Sequence, residues 1–257
     1  TLEALHLCLP TQDKVATDAM LRPFMAACQR AYLRWGHTQG VRVSDLHDDG
    51  TWLYQSPAMR QRRAPGNTCL SALQAGATGT GEHPINDSKG CGAVMRTAPI
   101  GLLPAASPEL ALTLGCMAGA LTHGHVDGWL PAGILAAMVR RLVRGESLEQ
   151  AAESALADSA PAAAGTQTQT PRLIHAALRH ARDQMPASIA WLSLGEGWTG
   201  DEALAIAVYA AASADSFEDA IRLAANHDGD SDSTASIAGQ LVGARDGHDF
   251  VAQAVAN

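Results

Sequence analysis

The stretch "NHDGDSDSTASIAGQLVGA" (226–244) puts three aspartates, Asp228, Asp230 and Asp232, within five positions, directly before a run of small apolar residues. Like charges at this spacing repel unless something positive sits among them. Asp230, Asp232 and the hydroxyls of Ser233 and Thr234 are hard oxygen donors, which suit magnesium, manganese or calcium rather than zinc or copper. A plainer reading is that the acids cap and solvate a helix N-terminus, where negative charge is favoured anyway. An EF-hand loop starting at Asp228 is excluded, because its sixth and twelfth positions hold Ser233 and Gly239 instead of glycine and glutamate. A D-x-D-x-T phosphatase motif fits Asp230, Asp232 and Thr234 literally. It needs a buried hydrophobic strand before it, however, and "IRLAANHDG" is not one.

A second stretch, "GATGTGEHPINDSKGCGAVMR" (76–96), is richer in glycine and turn formers than a passive link requires. Gly90 and Gly92 let backbone N–H groups approach an anion, and Ser88 can donate as well. The segment is neither a Walker loop nor a dinucleotide fingerprint; an ordinary tight loop is the competing reading. Cys91 reads as a small packing residue rather than a nucleophile, since no basic partner lies near it in sequence. In "THGH" (122–125), His123 reads either as a cleft residue or as a histidine hydrogen-bonded at a helix C-terminus before Gly124. Asp127 and His227 read as loop residues.

These residues must be positioned by helices, because the apolar periodicity is helical almost throughout. Leu21, Phe24, Met25, Cys28, Tyr32 and Trp35 recur at three- and four-residue steps, with Gly36 as the expected stop. Ser107-Pro108-Glu109 predicts a helix start, Pro131 opens another helix that Gly145 closes, and Thr170-Pro171 starts a further one. Ser147 with Gln150, and Thr199 with Glu202, are spaced as capping boxes, and Ser216 caps a short helix before the acidic loop. Ala235, Gly239 and Gly243, four apart, predict a smooth helix face for close packing. "VRV" (41–43) is too short for a strand, and "PAAAGTQTQTP" (161–171) reads as a surface connection within the domain. The expectation is one compact all-α bundle over residues 1–257.

Composition narrows the function classes. A hydrophobic fraction of 47% against 17% charged residues is that of a globular chain, and 4% aromatics with abundant alanine and glycine favours closely approaching helices. A net charge of -8, with no basic cluster beyond Arg60, Arg62 and Arg63, argues against a nucleic-acid groove. The five cysteines are scattered and form no C-x-x-C, which points to a reducing, cytoplasmic setting. No apolar run reaches membrane-spanning length, so no membrane partner is expected.

Taken in order, "RRAPGNTCLSAL" (62–73), "NDSKGCGAVMRTAPIGLL" (86–103), "THGH" (122–125) and "GDSDSTASIAGQLVGA" (229–244) resemble the ADP-ribosylglycohydrolases, in particular the bacterial branch. The resemblance runs from Thr1 to about Gly243 and implies an all-α bundle with two divalent cations, magnesium or manganese, in a central cleft. It implies that Asp230 and Asp232 are catalytic, and that both, with the Ser233 hydroxyl, ligate metal. It places Asn86, Ser88, Lys89, Gly90, Cys91, Gly92, Met95 and His123 against ADP-ribose. The implied reaction is removal of ADP-ribose from a modified protein side chain, with arginine favoured by the G-D-S-D-S-T form. The implied partner is an ADP-ribosylated protein or ADP-ribose itself. The alternative on the same scaffold is an immunity protein that occludes an ADP-ribosyltransferase toxin. The family draws further ligands from a T-D-D-T segment and an acidic loop, and Thr1–Leu5 resembles the helix just after T-D-D-T; an upstream segment carrying those ligands is therefore expected. Asp48 and Asp49 lie too far downstream to replace it and read as a solvated loop.

Overall fold

The structure, a computed structural model, describes residues 21–43, 46, 50–104 and 106–247. The expectations for Thr1–Leu5 and for Asp48 and Asp49 lie outside the described residues. Within them the fold is all-α: α1 (Leu21–Thr38), α2 (Trp52–Gln55), α3 (Asn67–Gln74), α4 (Ala98–Gly101), α5 (Pro108–Ala120), α6 (Val126–Val143), α7 (Leu148–Ser159), α8 (Thr170–Arg182), α9 (Ala187–Leu194), α10 (Gly200–Ser213), α11 (Phe217–Ala225) and α12 (Ser231–Asp246). Among the described residues no strand forms; a lone antiparallel bridge joins Gly90 to Thr199. No helix there is long and apolar enough to cross a membrane.

The centre of the bundle is α6, in which every residue except Arg141 and Val143 is buried. A helix buried all round needs small neighbours, and α5 lies against it at backbone distance. A Cβ on Gly133 would sit 2.3 Å from Cys116 Sγ and 2.7 Å from the Leu112 carbonyl oxygen. Helices α5 and α6 contribute to both hydrophobic clusters, one built with α7, α8, α10 and α12, the other with α1. Alanines 203, 205, 207, 210 and 211 let α10 enter the first cluster, as the alanine-rich composition predicts.

Several helix boundaries follow the sequence signals. Ser107 Oγ accepts from the Leu110 N–H, Ser216 Oγ accepts from the Asp219 N–H, and Ser147 with Gln150 forms the full capping box. Others do not. Gly36 lies inside α1, buried with Leu73 3.0 Å from where its Cβ would be, and the chain turns at Gly40 (φ +91°) instead. Pro131 does not open α6 but sits in its sixth position. The helix starts at the His125 cap, whose Nδ1 accepts from the Asp127 N–H. A proline there removes the bond to the Asp127 carbonyl, and it is against this carbonyl that α10 begins, with Gly200 Cα close enough that a Cβ would come within 2.7 Å.

Asp127 is not a loop residue. It is buried in the first turn of α6 and reaches the N-terminus of α8, where its Oδ1 accepts from Thr168 Oγ1, from Thr170 Oγ1 (2.9 Å) and from the Gln169 N–H (3.0 Å). The second half of the low-complexity connection is thereby fixed to the core. Thr199 and Glu202 form no capping box: Thr199 Oγ1 makes no bond, and the Glu202 carboxylate accepts instead from the N–H groups of Glu196 (3.3 Å) and Gly197 (3.2 Å).

Candidate active site

The acidic turn is held from three sides. His227, expected in a free loop, accepts at Nδ1 from the Gly229 N–H (3.1 Å). Its proton therefore sits on Nε2, which donates to Thr234 Oγ1 (2.9 Å). Thr234 in turn donates to the Ala224 carbonyl at the end of α11. On the other side the Asp230 N–H donates to the Glu196 carbonyl at 2.8 Å. This approach requires glycine at 229, since a Cβ there would lie 1.8 Å from the same oxygen. The result is a rigid N-terminus for α12, with Asp230 as its cap residue and Asp232 in its first turn.

Asp230 and Asp232 are close enough to share a hydrogen bond, and this bond, with partial burial and the Asp230 charge, raises the Asp232 carboxyl above the usual range. Both aspartates and Ser233 line a cleft of about 1180 Å³, slightly above the range of roughly 300–1,000 Å³ common for small-ligand pockets. Asp228 is exposed and is not among the lining residues. Two mutually repelling carboxylates beside a hydroxyl make one side of a site for a hard cation, so the donor set fits a divalent ion such as magnesium, manganese or calcium. Among the described residues no three His, Cys, Asp or Glu side chains close such a site.

The glycine-rich loop meets this turn across the cleft. Cys91 Sγ donates to Asp230 Oδ2 (2.8 Å) and lies 3.5 Å from Ser233 Oγ. Burial and the bond to Asp230 push its thiol up to about 12, so it stays protonated at neutral pH and is no nucleophile. Gly90, Gly92, Met95 and His123 line the same cleft. Asn86, Ser88 and Lys89 do not: Asn86 Oδ1 accepts from the N–H groups of Ser88 and Gly124, while its Nδ2 donates to the Thr122 carbonyl. Ser88 Oγ is engaged with Thr68 Oγ1 (2.9 Å) and the Gly90 N–H (3.3 Å), and Lys89 is exposed. Asn86 and Ser88 thus shape the loop, and the Ser88 hydroxyl expected to meet an anion is already bonded.

His123 is buried and held neutral. Desolvation, and then the nearby Arg96 charge, lower its imidazole to about 3. Arg96 can only donate, so Thr122 Oγ1 accepts from its Nη2 (2.7 Å) and gives its own proton to His123 Nδ1 (2.8 Å). The imidazole N–H is left on Nε2, beside Gly90 and Gly92. Arg96 itself stacks over the Tyr32 ring (4.4 Å to the centroid) and donates to the Ala118 carbonyl, with no carboxylate partner among the described residues. Tyr32, Cys69 and Arg96 all line the cleft, as does Trp198. Sequence reasoning passed over all four. Only "GEGW" (195–198), a tryptophan after two closely spaced glycines, carries a local signal.

An all-α bundle with an acidic helix cap facing a glycine-rich loop across a cleft is the arrangement that the resemblance to the ADP-ribosylglycohydrolases, a class of glycosyl hydrolase, implies. The sequence profile of the ADP-ribosylglycohydrolase family matches residues 9–255, and the chain belongs to that family. Its members act on ADP-ribosylated substrates and generally depend on divalent metal. A solved structure described as an ADP-ribosylglycohydrolase-related protein complex is similar at a TM-score of 0.50 and 22% identity, with 87% of each chain covered, a likeness of fold. No curated protein matches the sequence.

Proposed function

We propose that this enzyme removes ADP-ribose from modified arginine side chains and does so with divalent metal, magnesium or manganese. The observation that carries the reading is the meeting of the glycine-rich loop with the acidic turn, Cys91 against Asp230 and Ser233, from opposite ends of the sequence. In this reading Asp230, Asp232 and Ser233 would hold the metal, which would supply positive charge to bind ribose hydroxyls and polarise water. The loop from Gly90 to Met95 lies along the nucleotide, and the Nε2–H of His123 donates to it. Water adds to the anomeric carbon, the carbon–nitrogen bond breaks, and the guanidine leaves with the proton. The chain's part is positioning: a rigid helix cap for the ligands and a neutral imidazole as a fixed donor.

The test is release of free ADP-ribose from an arginine-modified protein in magnesium, followed by mass spectrometry. Asp230→Asn is expected to lower turnover by about 100-fold or more, the scale of losing a principal electrostatic contact in a transition state. An Asp230→Asn enzyme as active as the unsubstituted one would overturn the assignment of the acidic turn. Turnover of serine-linked ADP-ribose alone would overturn the arginine preference.

A further inference from the structure

Trp198 stands at the lip of the cleft, 56% exposed, on a segment fixed at both ends. Gly195 (φ +96°) and Gly197 (φ +82°) let the chain fold back, and Glu202 secures it through the Glu196 and Gly197 N–H groups. The Glu196 carbonyl takes the Asp230 N–H, and the Trp198 carbonyl takes the Cys91 N–H at 3.1 Å. The strap is therefore bonded to the acidic turn on one side and to the glycine-rich loop on the other. The indole is oriented too, since its Nε1–H donates to Glu196 Oε2 at 3.1 Å. A large aromatic ring held in this way, and still uncovered, lines the cleft beside Asp230 and is available to whatever enters there.

The charges near it select what that is. Asp230 and Asp232 line the cleft and Glu196 lies against the indole, whereas the arginines that line the cleft, Arg34, Arg63 and Arg96, belong to α1, to the segment before α3 and to the 3-10 turn Val94–Arg96. A diphosphate is drawn towards the arginines. The nucleotide portion is then assigned to the arginine side, and the group attached to the anomeric carbon falls on the Trp198 side. A planar cation suits an indole face flanked by a carboxylate better than any neutral group does.

We infer that Trp198 and Glu196 form the leaving-group subsite, in which the indole face stacks on the substrate guanidinium and the Glu196 carboxylate pairs with it. The inference rests on the arginine-directed reading above and names the residues that give that preference. It is tested with Trp198→Ala, Trp198→Phe and Glu196→Gln, measuring kcat/KM on an arginine-modified protein and, separately, the Kd for free ADP-ribose, which lacks the leaving group. Trp198→Ala and Glu196→Gln are expected to lower kcat/KM by about tenfold. Trp198→Phe should stay within about threefold, and the Kd for ADP-ribose within about twofold, in every variant. Loss of ADP-ribose affinity in parallel with kcat/KM would place Trp198 on the nucleotide and overturn the subsite, as would unchanged kcat/KM in Trp198→Ala. Absence of arginine-linked turnover in the unsubstituted enzyme would instead sink the underlying reading, and the subsite with it.

Discussion

A buried imidazole beside an arginine makes His123 the residue whose ionisation couples most directly to folding. Its folded value of about 3 lies far below the 6.5 of an unperturbed histidine, with desolvation and the Arg96 charge as causes. Between those two values the unfolded chain binds a proton that the native state refuses. Stability from this group is therefore complete above pH 6.5 and falls as pH drops through the window, by about 1.4 kcal/mol per pH unit. Urea unfolding at pH 7, 6 and 5 should show this slope, and His123→Gln should flatten the curve by that amount; parallel curves would refute the assignment. At the same scale, Cys91 serves as a hydrogen-bond donor to Asp230. Cys91→Ser can make the same bond and should keep kcat within about fivefold, the scale of one hydrogen bond.

At the scale of elements, two contacts decide whether the helices reach their places. Asp127 ties α6 to the start of α8 through Thr168, Gln169 and Thr170. Asp127→Ala leaves those donors unpaired in a buried site and should destabilise the fold by about 2–4 kcal/mol, read from chemical denaturation. Gly133 allows α5 to lie against α6, and Gly133→Ala should cost about 1–3 kcal/mol through overpacking. Adding Cys116→Ala removes the clash at 2.3 Å but not that with the Leu112 carbonyl at 2.7 Å, so the double variant should recover only part of the loss. Short-range chemistry made some of these elements legible: the Ser107, Ser147 and Ser216 caps depend on residues three apart. The start of α6 was not, because Pro131 is tolerated there only where α10 abuts the carbonyl it leaves without a helical donor.

For the whole molecule, the proposed metal site links metal binding to folding. The repulsion between Asp230 and Asp232 is present in the folded state and is relieved by a cation, so magnesium should raise the unfolding temperature. At a concentration about 100 times the Kd the gain is about 2.7 kcal/mol. Scanning calorimetry with and without magnesium checks this, and the double variant Asp230→Asn, Asp232→Asn should lose the shift while keeping the fold.

The sequence by itself determined the helical class, most helix starts, the glycine-rich loop and the acidic turn. Periodicity, caps and motif spacing are written in residues a few positions apart. The tertiary structure alone decided which members of each loop face the cleft. Asn86 and Ser88 spend their polar groups on Thr122, Gly124 and Thr68, partners far from them in sequence, whereas Cys91 reaches Asp230 139 positions away. It alone placed Arg96 on Tyr32 and Trp198 between the two loops. A hydrogen bond or a stacked cation is fixed by distance in space, and helix packing sets that distance between segments whose separation along the chain carries no trace of it.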